Sequence, residues 1–222
     1  MTAHQTMPGA PIFTAVPTTK MIAMTSAAPD HYDQTTALIV VDVQNDFADP
    51  AGHLYVPGGE QVIDPINRQI RAARKAGALV VYTRDWHPAD TPHFASHGGI
   101  WPDHCVRDSW GAAFHSGLIV EGEVVSKGTG SDDGYSGFRS LETDSGTPRS
   151  TGLEEHLRAA NVERLVVVGL ATDYCVKATV LDAAAKGFQV TVLTTAIRAV
   201  DLKPGDGDAA LKEMAAEGAT IR

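Results

Sequence analysis

Short apolar runs rich in β-branched residues alternate with helical patterns along most of this chain. That alternation limits the fold more than any other feature. The first run, "ALIVVDVQ" from Ala37, is apolar on both faces, as a strand covered by helices on two sides must be. "RLVVVGLA" (164–171) is another such buried strand, and "ALVVYTRD" (78–85), "GEVVSKG" (122–128) and "QVTVLTTA" (189–196) read as further strands. Between the first two, Val62, Ile66, Ile70 and Ala73 recur at helical spacing, and Gly77 stops the pattern. Pro65 either kinks that helix or marks its first turn. Thr151-x-x-Glu154 reads as a capping box opening "LEEHLRAAN". "DYCVKATVLDAAAKG" reads as a helix with Asp173 or Thr172 as N-cap and Gly187 as its stop. "DAALKEMAAEG" gives a last helix, and "ATIR" a short closing strand. Such alternation predicts an α/β fold with a mostly parallel sheet, helices on both faces and right-handed connections.

The chain has 222 residues, enough for a single domain, read here as residues 36–222. Residues 1–35 are rich in Pro, Thr and Ala without periodicity and lack the pattern of a secretory signal, so a flexible extension is expected. A formal net charge of -9 argues against nucleic acid as a partner. No apolar run approaches the roughly 20 residues of a membrane span. Two cysteines permit at most one disulfide. A cytoplasmic protein is expected, acting on a small molecule, with a homo-oligomer left open. The stretch 86–122 is too long for a bare connector and is expected to be functional.

In open α/β sheets ligands bind outside the carboxyl ends of the strands. The predicted strands deliver Asp42, then Asp85 and His87, then Lys127, and finally Cys175 one turn into a helix. Asp42 is either a structural carboxylate or a general base. Lys127 is either a surface lysine or a buried ammonium that holds Asp42 ionised and stabilises a thiolate and an oxyanion. A lone cysteine is most often a small buried hydrophobe. Cys175, however, falls in a first helical turn, where unpaired N–H groups and the dipole lower a thiol pKa and offer an oxyanion hole. Cys105 has no such setting and is read as structural. Gly128-x-Gly130 lacks the context of a phosphate loop and is read as a tight turn after Lys127.

Four of the nine histidines lie between His87 and His104. Asp85 and His87 share one side of a strand end, and His93 and His104 follow in the loop. An aspartate with imidazoles suits one divalent transition metal, with Zn first and Fe or Mn as alternatives, better than Ca or Mg. The plain alternative is a loop with scattered solvated histidines, and His97 is read as a bystander. Phe47, Trp101 and Tyr135 are aromatic candidates for a flat substrate, or ordinary packing.

Together, "VDVQNDF", "TRDWHP…H…WPDHC", "SKG" and "GLATDYCV", in that order, resemble the nicotinamidase/pyrazinamidase branch of the isochorismatase-like cysteine hydrolases. The resemblance spans Ala37 to the C-terminus. It implies a three-layer α/β/α fold and hydrolysis of an aromatic amide through a cysteine thioester. It casts Asp42, Lys127 and Cys175 as the catalytic triad and the N–H groups of Ala171 and Cys175 as the oxyanion hole. Asp85, His87 and His104 become metal ligands, with His93 a further one in some members. The ring would lie between Phe47 and Trp101, its nitrogen on the metal. A cis peptide is implied just before Ala171. Asp103 stands where many relatives carry proline or another neutral residue. The closest rival is a cysteine amidase of the same fold acting on a carbamoyl or ureido substrate.

Overall fold

The computed structural model describes Met1, residues 32–142 and residues 145–222; the expected extension lies outside the described residues from position 2 to position 31. In chain order the elements are β1 (Thr36–Val41), α1 (Asn45–Ala48), α2 (Ile63–Lys75), β2 (Leu79–Asp85) and β3 (Glu123–Lys127). Then come β4 (Asp132–Asp133), β5 (Arg139–Glu142), β6 (Pro148–Ser150), α3 (Leu153–Ala159) and β7 (Arg164–Leu170). The chain ends with α4 (Lys177–Ala185), β8 (Gln189–Arg198), α5 (Asp206–Ala216) and β9 (Thr220–Ile221).

The central sheet has the order β3-β2-β1-β7-β8-β9, and every pairing in it is parallel. Alternate strand residues serve opposite faces. Leu38, Val40, Tyr82, Val166 and Val168 pack with Ile63, Ile66, Ile70 and Ala73 of α2. Ala37, Ile39, Val41, Val81, Leu165 and Val167 pack with α3, α4 and α5 through Leu153, Leu157, Val180, Ala183, Ala210 and Met214. The result is the three-layer α/β/α arrangement, and the two apolar faces explain the unbroken apolar runs. The chain adds β2 and β3 on one side of β1, then crosses back to add β7 on the other. The strand order therefore reverses beside β1, where such sheets leave a crevice.

Pro65 sits in the first turn of α2, the second of its two readings, where its missing N–H costs nothing. Other local expectations need correcting. The helix at 153 opens on Gly152 in a left-handed conformation and not on a capping box. Thr151 Oγ1 instead accepts from Leu153 N at 3.3 Å and donates to Gly137 O at 2.6 Å. Glu154 turns to Lys186 at 2.6 Å. Neither Asp173 nor Thr172 caps the helix that carries Cys175: a wide π-type turn at Thr172–Val176 precedes α4, with Ala171 ahead of it in extended conformation. Asp173 reaches away from its own turn, accepting from Val200 N and Asp201 N at 2.9 Å each.

The antiparallel sheet β4-β5-β6 is not foreshadowed by the sequence pattern, because its strands are short, polar and largely exposed. The stretch 86–122 is long but not loose. Phe94 and Cys105 within it are fully buried, and bridges join His87 to Val106 and Phe94 to Trp101. Upstream of β1, Tyr32 is buried and donates to Gln69 at 2.9 Å, while Asp33 pairs with Arg164 of β7. Among the described residues no helix is long and apolar enough to cross a membrane.

Candidate active site

β1 ends at Val41, and Asp42 leaves the strand with φ of +49°. Its side chain is fully buried. Thr83 of β2 donates to Asp42 Oδ1 at 2.6 Å, and Lys127 Nζ lies 2.9 Å from Oδ2. Lys127 closes β3 and is also enclosed; its ammonium pairs with Asp85 Oδ1, approaches Cys175 Sγ at 3.6 Å and donates to Gly134 O at 3.3 Å. One ligand atom each of Asp42, Asp85 and Cys175 lie within 4.8 Å of one another. The carboxylate, ammonium and sulfur read from three separate strand ends therefore meet in one place.

Charge counting orders this cluster. Burial works against the charge on Lys127, but Asp42 and Asp85 outweigh it and hold the ammonium well above the usual lysine range. Burial pushes the Asp42 carboxyl up, more than Lys127 draws it down. At Asp85 burial also opposes ionisation, but Lys127 and then His87 and His104 win, and its carboxyl sits below the usual range. The Cys175 thiol is pushed well up by burial, with Lys127 pulling the other way and Asp42 and Asp85 adding to the rise. The expectation of a thiol lowered by its helix start is thus overturned. Two carboxylates already exceed one ammonium here, and a thiolate would add a further negative charge away from water. The resting sulfur keeps its proton beside Asp42, the group placed to take it.

The turn bearing Cys175 is set by two backbone features. Gly169, with φ of +118°, passes so close to β1 that a Cβ would lie 2.0 Å from Val41 O. The peptide between Leu170 and Ala171 is cis, as the resemblance implies.

Beside this cluster, one ring nitrogen each of His87, His93 and His104 lie within 4.8 Å of one another, and all three rings are buried. His87 Nδ1 faces Gly128 O at 3.1 Å, and its Nε2 is buried without a hydrogen-bond partner. His104 Nδ1 faces Pro102 O at 2.7 Å. Carbonyls on Nδ1 place the proton there and leave a lone pair on Nε2, the state a metal requires. Burial lowers His87 to about 4 and also lowers His104, so both rings are neutral near pH 7. The orphaned Nε2 and the neutral rings fit a divalent transition ion. His93 stands level with the other two imidazoles. Asp85 lines the same pocket and belongs to the cluster with Asp42 and Cys175. Gly128, with φ of +62°, is required here: a Cβ would lie 2.4 Å from His87 Cε1.

Phe47, Trp101, Tyr135 and Ala171 all line this pocket, together with Leu54, Val56 and Val200. Trp101 Nε1 donates to Tyr135 Oη at 3.1 Å. Tyr174, which sequence reasoning passed over, packs edge-on against both Trp101 and Tyr135 at 5.4 and 5.5 Å. Its position beside Cys175 was the available signal. Asp46 was also missed. Its carboxylate accepts from Cys105 N at 2.6 Å and His53 N at 3.0 Å, fastening the loop that carries His104. Cys105 is fully buried, with its thiol pushed up by burial. His97 is exposed on a short turn, and Asp103 takes a hydrogen bond from Ser96 at 2.6 Å.

The isochorismatase domain family matches this chain over residues 36–222. The nicotinamidase of Escherichia coli (strain K12) is 40% identical over 203 residues, covering 83% of this chain and 93% of the relative. The nicotinamidase/pyrazinamidase of Mycobacterium tuberculosis is 38% identical over 186 residues, covering 80% and 93%. Among solved structures, the pyrazinamidase of Pyrococcus horikoshii in complex with zinc superimposes with a TM-score of 0.75 at 43% identity, over 85% of this chain and 98% of that one. PnC1 from L. infantum in complex with nicotinate gives 0.76 at 36% identity, over 86% and 94%.

Proposed function

The chain belongs to the isochorismatase domain family, and we propose that this amidohydrolase converts nicotinamide, and with it pyrazinamide, to the carboxylic acid and ammonia. The observation that carries the reading is the buried meeting of Cys175, Asp42 and Lys127 beside three imidazoles. Asp42 takes the thiol proton as the sulfur of Cys175 attacks the carboxamide carbon. The N–H groups of Ala171 and Cys175 receive the oxyanion, and Lys127 offsets the charge on Asp42. Asp42 returns the proton to the departing nitrogen, and ammonia leaves. Water then adds to the thioester, giving up a proton to Asp42, and the acid is released with the thiol restored. The ring lies between Phe47 and Trp101, with Tyr135 on the wall.

His87, His93, His104 and Asp85 would hold one divalent transition metal, zinc by first assignment with iron or manganese as alternatives. The bound ion supplies a Lewis-acid anchor for a ring nitrogen. That anchor favours an aromatic amide over the carbamoyl or ureido substrates of the rival reading, which present no ring nitrogen. Ammonia release from nicotinamide by the wild-type chain and by Cys175→Ala tests the proposal. Turnover by the wild type is expected, with loss of at least about a thousandfold in the variant at unchanged metal content. Substantial turnover by Cys175→Ala would remove the thiol from the mechanism.

A further inference from the structure

We infer that Gln44 is a positioning residue: its side-chain amide stands in for the peptide group that β1 would have supplied, and so aims Asp85 at Lys127 and the imidazoles. In a parallel sheet, the N–H and C=O of one strand residue point to the same neighbour. β1 pairs with β2 only as far as Val41 and Thr83, and the last backbone bond between them is Asp42 N to Thr83 O at 3.2 Å. Asp42 must leave the strand there for its carboxylate to reach Lys127. The next β2 residue facing that side is Asp85, and it would be left with a buried donor and a buried acceptor. Gln44 fills both. Its Oε1 accepts from Asp85 N at 2.8 Å, and its Nε2 donates to Asp85 O at 2.7 Å. The same Nε2 donates to Ala112 O at 2.9 Å, joining the far end of the 86–122 excursion to the site. Gln44 is fully buried, so no water replaces these bonds. No other side chain pairs an amide oxygen with an amide nitrogen in one rigid plane except asparagine, which is one methylene shorter.

The inference rests on the proposed hydrolase reading, and the test separates the two. Apparent zinc affinity is measured by chelator competition, alongside kcat and KM for nicotinamide at saturating zinc, for wild type, Gln44→Met and Gln44→Glu. Gln44→Met keeps the volume and loses all three bonds; Gln44→Glu keeps the acceptor and loses the donor, and serves if the first variant does not fold. Asn67 gives the control. It is a second buried amide with the same bonding style, donating to Gly117 O and accepting from Ile119 N at 2.8 Å each. Asn67→Leu is expected to lower the melting temperature and leave zinc affinity alone. Gln44→Met and Gln44→Glu are expected to weaken zinc binding by roughly 10- to 100-fold and to lower kcat. Zinc affinity and kcat within about twofold of wild type in a folded Gln44 variant overturn the inference. Failure of the wild type itself to release ammonia overturns the hydrolase reading instead.

Discussion

Asp42, Gln44 and Asp46 divide the labour of "VDVQNDF" among three polar side chains. Asp42 faces the thiol and ammonium, Gln44 holds the backbone of Asp85, and Asp46 fastens the loop of His104. The sequence disclosed the first because a carboxylate at a strand end is chemically conspicuous. It concealed the other two, because the backbone groups they tie to the site, at Asp85 and Cys105, lie 41 and 59 positions away. Asp173 misled for the same reason. Local rules offered it a cap, whereas the N–H groups of Val200 and Asp201 lie 27 and 28 positions on. The thiol pKa was misjudged because a helix start is visible in sequence and the surplus of carboxylates around it is not. A prediction follows for Gly128. Its positive φ and the 2.4 Å approach to His87 leave no room for a methyl group. Gly128→Ala is expected to displace the His87 ring and weaken zinc binding at least about tenfold, read by chelator competition. Unaltered affinity would show that the ring position does not depend on that turn.

The buried strands were legible because apolar runs of five to eight residues carry their own signature. The β4-β5-β6 sheet was not, because two to four polar residues carry none. The start of β1 shows an element held from outside. Asp33 takes bonds from Thr35 and Thr36 and pairs with Arg164 of β7, which holds its carboxyl well below the ordinary value of 3.8. A carboxyl lowered in the folded state stabilises fully above its unfolded value, and that contribution fades as pH falls toward the folded value. The pair is well exposed, so its worth is about 0.2–1 kcal/mol. Asp33→Asn is therefore expected to lower stability by that amount at pH 7 and by less at pH 3, measured by urea unfolding. A deficit equal or larger at pH 3 would contradict the assignment.

At the scale of the whole molecule, the site occupies the crevice where the strand order reverses. Asp42 and Cys175 come from the neighbouring strands β1 and β7 on either side of that reversal. Alternation alone forecast a parallel sheet, and the ordered motifs pointed to residues that meet at its carboxyl edge. The sheet is stabilised by two apolar faces, apart from the imidazoles of His87, His93 and His104. Chelation is accordingly expected to abolish ammonia release while far-UV circular dichroism stays unchanged, with zinc restoring turnover. Full turnover by metal-stripped protein would refute the anchoring role of the ion.

The 86–122 excursion leaves the sheet after β2 and returns to it at β3. Along the way it contributes His87, His93, Trp101 and His104 to the pocket, whereas Asp42, Lys127 and Cys175 lie outside it. The pocket wall is still shared, because Phe47 and Tyr135 line it from outside the excursion. One insertion thus carries much of the wall, so a change in its sequence would reshape the pocket while the buried meeting of Asp42, Lys127 and Cys175 stays in place.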